Sequence, residues 1–136
     1  MTAQSGAVAV VVSDKNPTVN LRTSDLRQIL AGEKRAWSNG VVIKIFVRGP
    51  GTLERDALLK LLGMTERDYR QYWAAQVFRG EAQSEPTMLP SNGMQREAVL
   101  LYPGAVELVS VEDVKPGMKV VKLDGRLPGQ QDYGLR

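Results

Sequence analysis

In residues 44–62 (KIFVRGPGTLERDALLKLL) an apolar run stops at Arg48-Gly49-Pro50-Gly51-Thr52 and a helical pattern begins at once. Strand, tight turn and helix start, in that order, make the geometry of an anion site. The first amides of a helix have no intrahelical acceptors, and the helix dipole places partial positive charge there. Gly49 and Gly51 let a ligand approach the backbone. Thr52 offers a hydroxyl as helix cap or as ligand contact, and Arg48 offers a charge-assisted hydrogen bond. The same residues also describe an ordinary capped turn, and no Lys follows the second Gly as it does in a nucleotide P-loop.

Little else in the chain could do chemistry. It has 136 residues, no cysteine and no histidine, which removes disulfides, thiolate chemistry, the usual general base and the commonest metal ligand. Glu54 and Asp56 are a carboxylate pair close to the corner, but acids in a first helical turn are favoured by the dipole alone. No metal motif or cofactor site is expected, and the inventory argues against an enzyme. The net charge of +3 comes from 18 basic residues interleaved with 15 acidic ones, without the clustering of a nucleic-acid surface. No apolar run approaches a membrane span. Residues 1–6 are small and polar, as in a mature amino terminus left after signal-peptide removal.

The elements that must position the corner are readable in outline. Residues 7–12 (AVAVVV) form a continuous β-branched run, expected as a central strand covered on both faces. Thr23 or Ser24 can cap a helix that presents Leu26, Ile29 and Leu30, and residues 41–47 read as a second strand. After the corner, Leu53, Ala57, Leu58, Leu61 and Leu62 make a helical stripe that stops at Gly63. Thr65 and Asp68 then outline a capping box for a helix with Tyr69, Trp73, Val77 and Phe78 on its core face. Residues 81–90 read as a loop, and 92–102 as a helix with Met94, Ala98 and Leu101 inward. Strands over 105–110 and 118–123 and a polar tail complete a single domain over residues 1–136. The alternation predicts an α/β fold of three αβα layers on a mostly parallel mixed sheet.

Several segments, in order, resemble the phosphate-binding proteins of ABC transporters. They are the apolar first strand with Asn16-Pro17, the helix ending Ile29-Leu30-Ala31-Gly32-Glu33-Lys34, Ala36-Trp37-Ser38-Asn39-Gly40, Tyr72-Trp73 with Phe78-Arg79-Gly80, and Tyr102-Pro103-Gly104-Ala105-Val106. The closing segments at Leu123-Asp124-Gly125 and Asp132-Tyr133-Gly134-Leu135 also fit. The resemblance implies a single lobe of the type II periplasmic binding protein superfamily, a family whose full members close two lobes on the solute. It implies a phosphate or oxyanion ligand at Arg48, Gly49, Gly51 and Thr52. The family's Gly-Ser-Gly-Thr loop has Pro50 in place of serine here, and Glu107-Leu108 stand where the family has Gly-Tyr.

Two functions follow as expectations. The first is an extracytoplasmic solute-binding-like domain, periplasmic or secreted, with weak phosphate or oxyanion binding at a helix N-terminus. The second is a single-lobe interaction module that has lost solute binding and holds a protein partner or its own copy over the former inter-lobe face.

Overall fold

The structure is a computed structural model that describes residues 7–135, so the amino terminus read above as processed lies outside the described residues. Strand β1 (Val8–Ser13) has no polar alternation, and all six of its residues are buried. Such a strand needs partners on both edges and apolar cover on both faces. The partners are β5 (Ala105–Ser110) and β6 (Met118–Leu123), both antiparallel to it, with Val10 opposite Leu108 on one side and Val121 on the other. Outside them, β2 (Asn20–Leu21) runs parallel to β6, and β3 (Lys44–Arg48) runs parallel to β5 and to β4 (Thr87–Leu89). The order is β2-β6-β1-β5-β3-β4, a mixed sheet in which β1 alone opposes the common direction.

Cover comes from helices on both faces. Val8, Val10 and Val12 pack with Leu26, Ile29 and Leu30 of α1 (Thr23–Leu30), Ala57, Leu58 and Leu61 of α2 (Leu53–Leu62), and Tyr69 and Trp73 of α3 (Glu66–Phe78). Ala9 and Val11 pack with Ala98 and Val99 of α4 (Asn92–Leu101). The three layers expected from the alternation of elements are therefore present.

Several local expectations are corrected. Residues 41–43 are not in β3, and Val42 forms only an isolated bridge to Ala36. The Val42 carbonyl instead packs onto Gly104, where an added Cβ would come within 2.0 Å of it. The segment 81–90 is not wholly loop, because three of its residues pair with β3 as the sheet's edge. Neither Thr23 nor Ser24 caps α1. Arg22 stands at that position, and the Thr23 N–H donates at 3.0 Å to Asp124, 101 residues away. The tail is not simply polar, since Tyr133 and Leu135 are buried and the Tyr133 hydroxyl donates to the Val8 carbonyl at 2.6 Å.

The capping box of α3 forms as expected, with Thr65 accepting from the Asp68 amide at 3.1 Å. Tyr69 and Trp73 are core, but Val77 is 40% and Phe78 91% exposed. Phe78 lies five positions beyond Trp73, about 140° around the helix, and so points away from the sheet. In α4 the inward residues are Gln95, Ala98 and Val99, while Met94 and Leu101 are exposed. The Gln95 amide donates to the Leu108 carbonyl at 2.8 Å, which fixes the rotation of the helix.

One residue conflicts with its surroundings. Glu107 on β5 faces α4 beside Val11, it is fully buried, and neither carboxyl oxygen has a hydrogen-bond partner among the described residues. Burial pushes its pKa up to about 9, so the group is a neutral acid at neutral pH.

Two outcomes follow from this packing. Trp73→Ala should cost about 3–5 kcal/mol in urea unfolding, and Phe78→Ser should change it by no more than about 0.5 kcal/mol. The raised Glu107 pKa favours the protonated folded state, so its contribution is fully present below about pH 4.5 and is lost as pH rises toward about 9. With no histidine or cysteine to mask the trend, stability should fall between about pH 5 and 8, by up to about 1.4 kcal/mol per unit. Glu107→Met should flatten that profile and raise the urea midpoint at pH 8, and an unchanged slope would refute the assignment.

Candidate functional site

The carboxyl ends of β3, β4 and β5 lie side by side, at Arg48, Leu89 and Ser110, and in open α/β sheets this rim is where ligands bind. Helices α2 and α4 both start there. Gly51 has φ +91°, a left-handed turn that admits glycine readily, and it delivers the chain to Thr52, the N-cap of α2. The Thr52 hydroxyl accepts from the Arg55 amide at 3.1 Å and donates to the Gly49 carbonyl at 2.8 Å. It is therefore a structural cap first. The amides of Gly51, Thr52 and Leu53 have no acceptor among the described residues, and Gly51 and Leu53 are exposed. These are the free donors expected at a helix start.

Arg48 turns inward. Its side chain is only 13% exposed, and its Nη1 lies 3.8 Å from Oε1 of Glu54, which is 5% exposed. The other Glu54 oxygen, Oε2, accepts from the Ser110 amide at 2.8 Å, the Ser110 hydroxyl at 2.7 Å and the Asn92 side-chain amide at 2.9 Å. Burial pushes the Glu54 carboxyl up, but the Ser110 hydroxyl and amide, its own backbone and Asn92 outweigh it and hold the pKa below the usual range. The space beside Arg48 and Glu54 is about 10 Å³, room for no more than one water. A larger cavity of about 230 Å³ lies elsewhere, between α1, α2 and the tail, and none of the corner residues lines it.

Arg55 locks the corner from behind. It donates to the Arg48 carbonyl at 3.0 Å, holds Glu66 of α3 bidentately at 2.7 and 3.1 Å, and its guanidinium lies 4.5 Å from the Tyr69 ring centre. Asn92 also donates to the Gln95 side chain at 3.0 Å, so the network reaches from α2 to α4.

The structure thus brings Arg48, Gly49, Gly51 and Thr52 together at one turn. Sequence reasoning missed Glu54 as a residue of the site and treated it as a first-turn acid. Its partners Asn92 and Ser110 lie 38 and 56 positions away, and no local pattern marks them.

No protein-family model and no curated protein sequence matches the chain. Solved structures do match its fold. An ABC-type phosphate transport receptor of Vibrio cholerae aligns over 90% of this chain with TM-score 0.71 and 22% identity. A protein described as a phosphate ABC transporter substrate-binding protein of Clostridium perfringens, solved with bound phosphate, aligns over 95% with TM-score 0.75 and 18% identity. PstS of Borrelia burgdorferi aligns over 90% with TM-score 0.63 and 19% identity. The chain spans about half of each, covering 48%, 51% and 49% of their lengths. Its fold is that of one lobe of such proteins.

Ser110→Ala removes one of three donors on a buried carboxylate oxygen and should cost about 1.5–3 kcal/mol in urea unfolding. A change under about 0.5 kcal/mol would mean that Glu54 is not held as described.

Proposed function

We propose that this chain is a single-domain, extracytoplasmic, solute-binding-like lobe that takes phosphate or a similar oxyanion weakly at the amino end of α2. The observation that carries this reading is the exposed turn from Gly51 to Leu53, whose amides have no protein acceptor among the described residues and lie at the positive end of a ten-residue helix. Arg48 and Gly49 complete the site, Gly49 by shaping the turn and Arg48 as the cation beside it, its charge met by Glu54 at 3.8 Å. The similarity to half of several phosphate transport proteins supports the same ligand class. The chemistry proposed for the corner is binding, by free backbone amides and the helix dipole. This lobe by itself meets the ligand from one side, for which affinity in the millimolar range is expected.

A second reading has its own observation. Leu53, Met88 and Met94 are 51%, 58% and 42% exposed, Leu53 and Met94 in the first turns of α2 and α4 and Met88 against Gly49. Exposed apolar side chains at these helix starts suit a protein partner or a second copy docked over the face that a second lobe would cover.

Titration calorimetry discriminates the two. Phosphate or sulfate should bind saturably in the millimolar range and raise the melting temperature, while chloride at matched ionic strength should do much less. Arg48→Met should weaken that binding. The absence of saturable heat up to about tens of millimolar would overturn the oxyanion reading in favour of the docking one.

A further inference from the structure

The corner carries an anion of its own. Glu54 follows Thr52 by two residues, yet its side chain turns inward, and three donors from β5 and α4 converge on one of its oxygens at 2.7–2.9 Å. Three neutral donors and an arginine around one oxyanion are what a protein would supply to a bound ligand. Arg48, by contrast, is served poorly. Its contact with Glu54 is 3.8 Å, beyond hydrogen-bond length, and its Nε is buried without an acceptor among the described residues. Glu54 can therefore keep its place without Arg48, while Arg48 has Glu54 as its one ion-pair partner among the described residues.

From this arrangement we infer that Glu54 is a built-in competitor of the external oxyanion, cancelling the Arg48 charge and so setting how weakly the Gly49–Thr52 corner binds. The inference rests on the oxyanion reading of that corner. With Glu54 ionised, the Arg48–Glu54 pair is neutral as a whole, and an incoming phosphate meets only the amides and dipole of α2. With only about 10 Å³ beside the pair, the phosphate cannot enter and displace the carboxylate, so the competition is for the charge of Arg48 and not for space. Removing the Glu54 charge while keeping its volume leaves the Arg48 charge uncancelled next to the corner.

The test is titration calorimetry with phosphate and with sulfate on the wild-type chain, Glu54→Gln, and Glu54→Gln combined with Arg48→Met, at one pH and one ionic strength. Glu54→Gln should bind at least about tenfold more tightly than wild type, the effect of one negative unit charge removed beside the corner, and the double variant should lose the gain. A smaller gain, or one that survives Arg48→Met, overturns the inference. If the wild type shows no binding and Glu54→Gln does, the inference stands and the oxyanion reading of the native chain falls. If neither binds, both fall. Should Glu54→Gln be unfolded in dilute buffer, its refolding by phosphate, followed by far-UV circular dichroism, takes the place of the heat: saturable recovery supports the inference and none overturns it.

Discussion

Everything in this fold depends on a strand that cannot face water. Each residue of β1 is buried, and its valines and alanine leave no polar face to expose. The backbone of such a strand must be hydrogen-bonded on both edges, which β5 and β6 accomplish, and its side chains must be covered twice, which places α1, α2 and α3 on one face and α4 on the other. Once β1 runs against the other strands, those five share one direction, and the carboxyl ends of β3, β4 and β5 are gathered on a single rim. The amino ends of α2 and α4 come to the same rim because each helix follows one of these strands directly.

That rim concentrates donors, and the chain has answered many of them internally. Arg55 ties β3 to α3 through the Arg48 carbonyl and Glu66, and Glu54 ties α2 to β5 and α4. Burying a carboxylate is costly unless hydrogen bonds replace its water, and here three do so on one oxygen. The outward amides of the turn are left to solvent or ligand. A polar network below and free amides above give the corner rigidity, and they also place a fixed negative charge next to the site.

Glu107 shows the opposite solution to the same problem. It lies on β5 three residues from Ser110, but its side chain points beneath α4 rather than to the rim, and no donor among the described residues reaches it. Denied partners, it is held as a neutral acid, and its pKa is pushed up where that of Glu54 is held down. Two buried glutamates therefore differ in charge because one ends among helix starts and strand ends and the other among valine, phenylalanine and alanine side chains.

Local physics made much of this legible in the sequence. The uninterrupted β-branched run could only be an inner strand, the Thr65–Asp68 spacing could only help start a helix, and the Gly-Pro-Gly-Thr turn before a leucine stripe put a helix amino terminus at Thr52. These signals act within a few residues, so the chain alone determined the layered α/β architecture and the position of the corner. It did not determine which way side chains near the corner turn. Arg48 turns inward because Glu54 is there, and Glu54 is there because Asn92 and Ser110 converge on it from other elements. Phe78 and Leu101 carry the hydrophobicity of core residues yet face solvent, since the rotation of each helix is fixed by distant partners such as the Leu108 carbonyl under Gln95. Burial and charge at the site are sums over neighbours brought together by the sheet, and only the tertiary structure contains that sum.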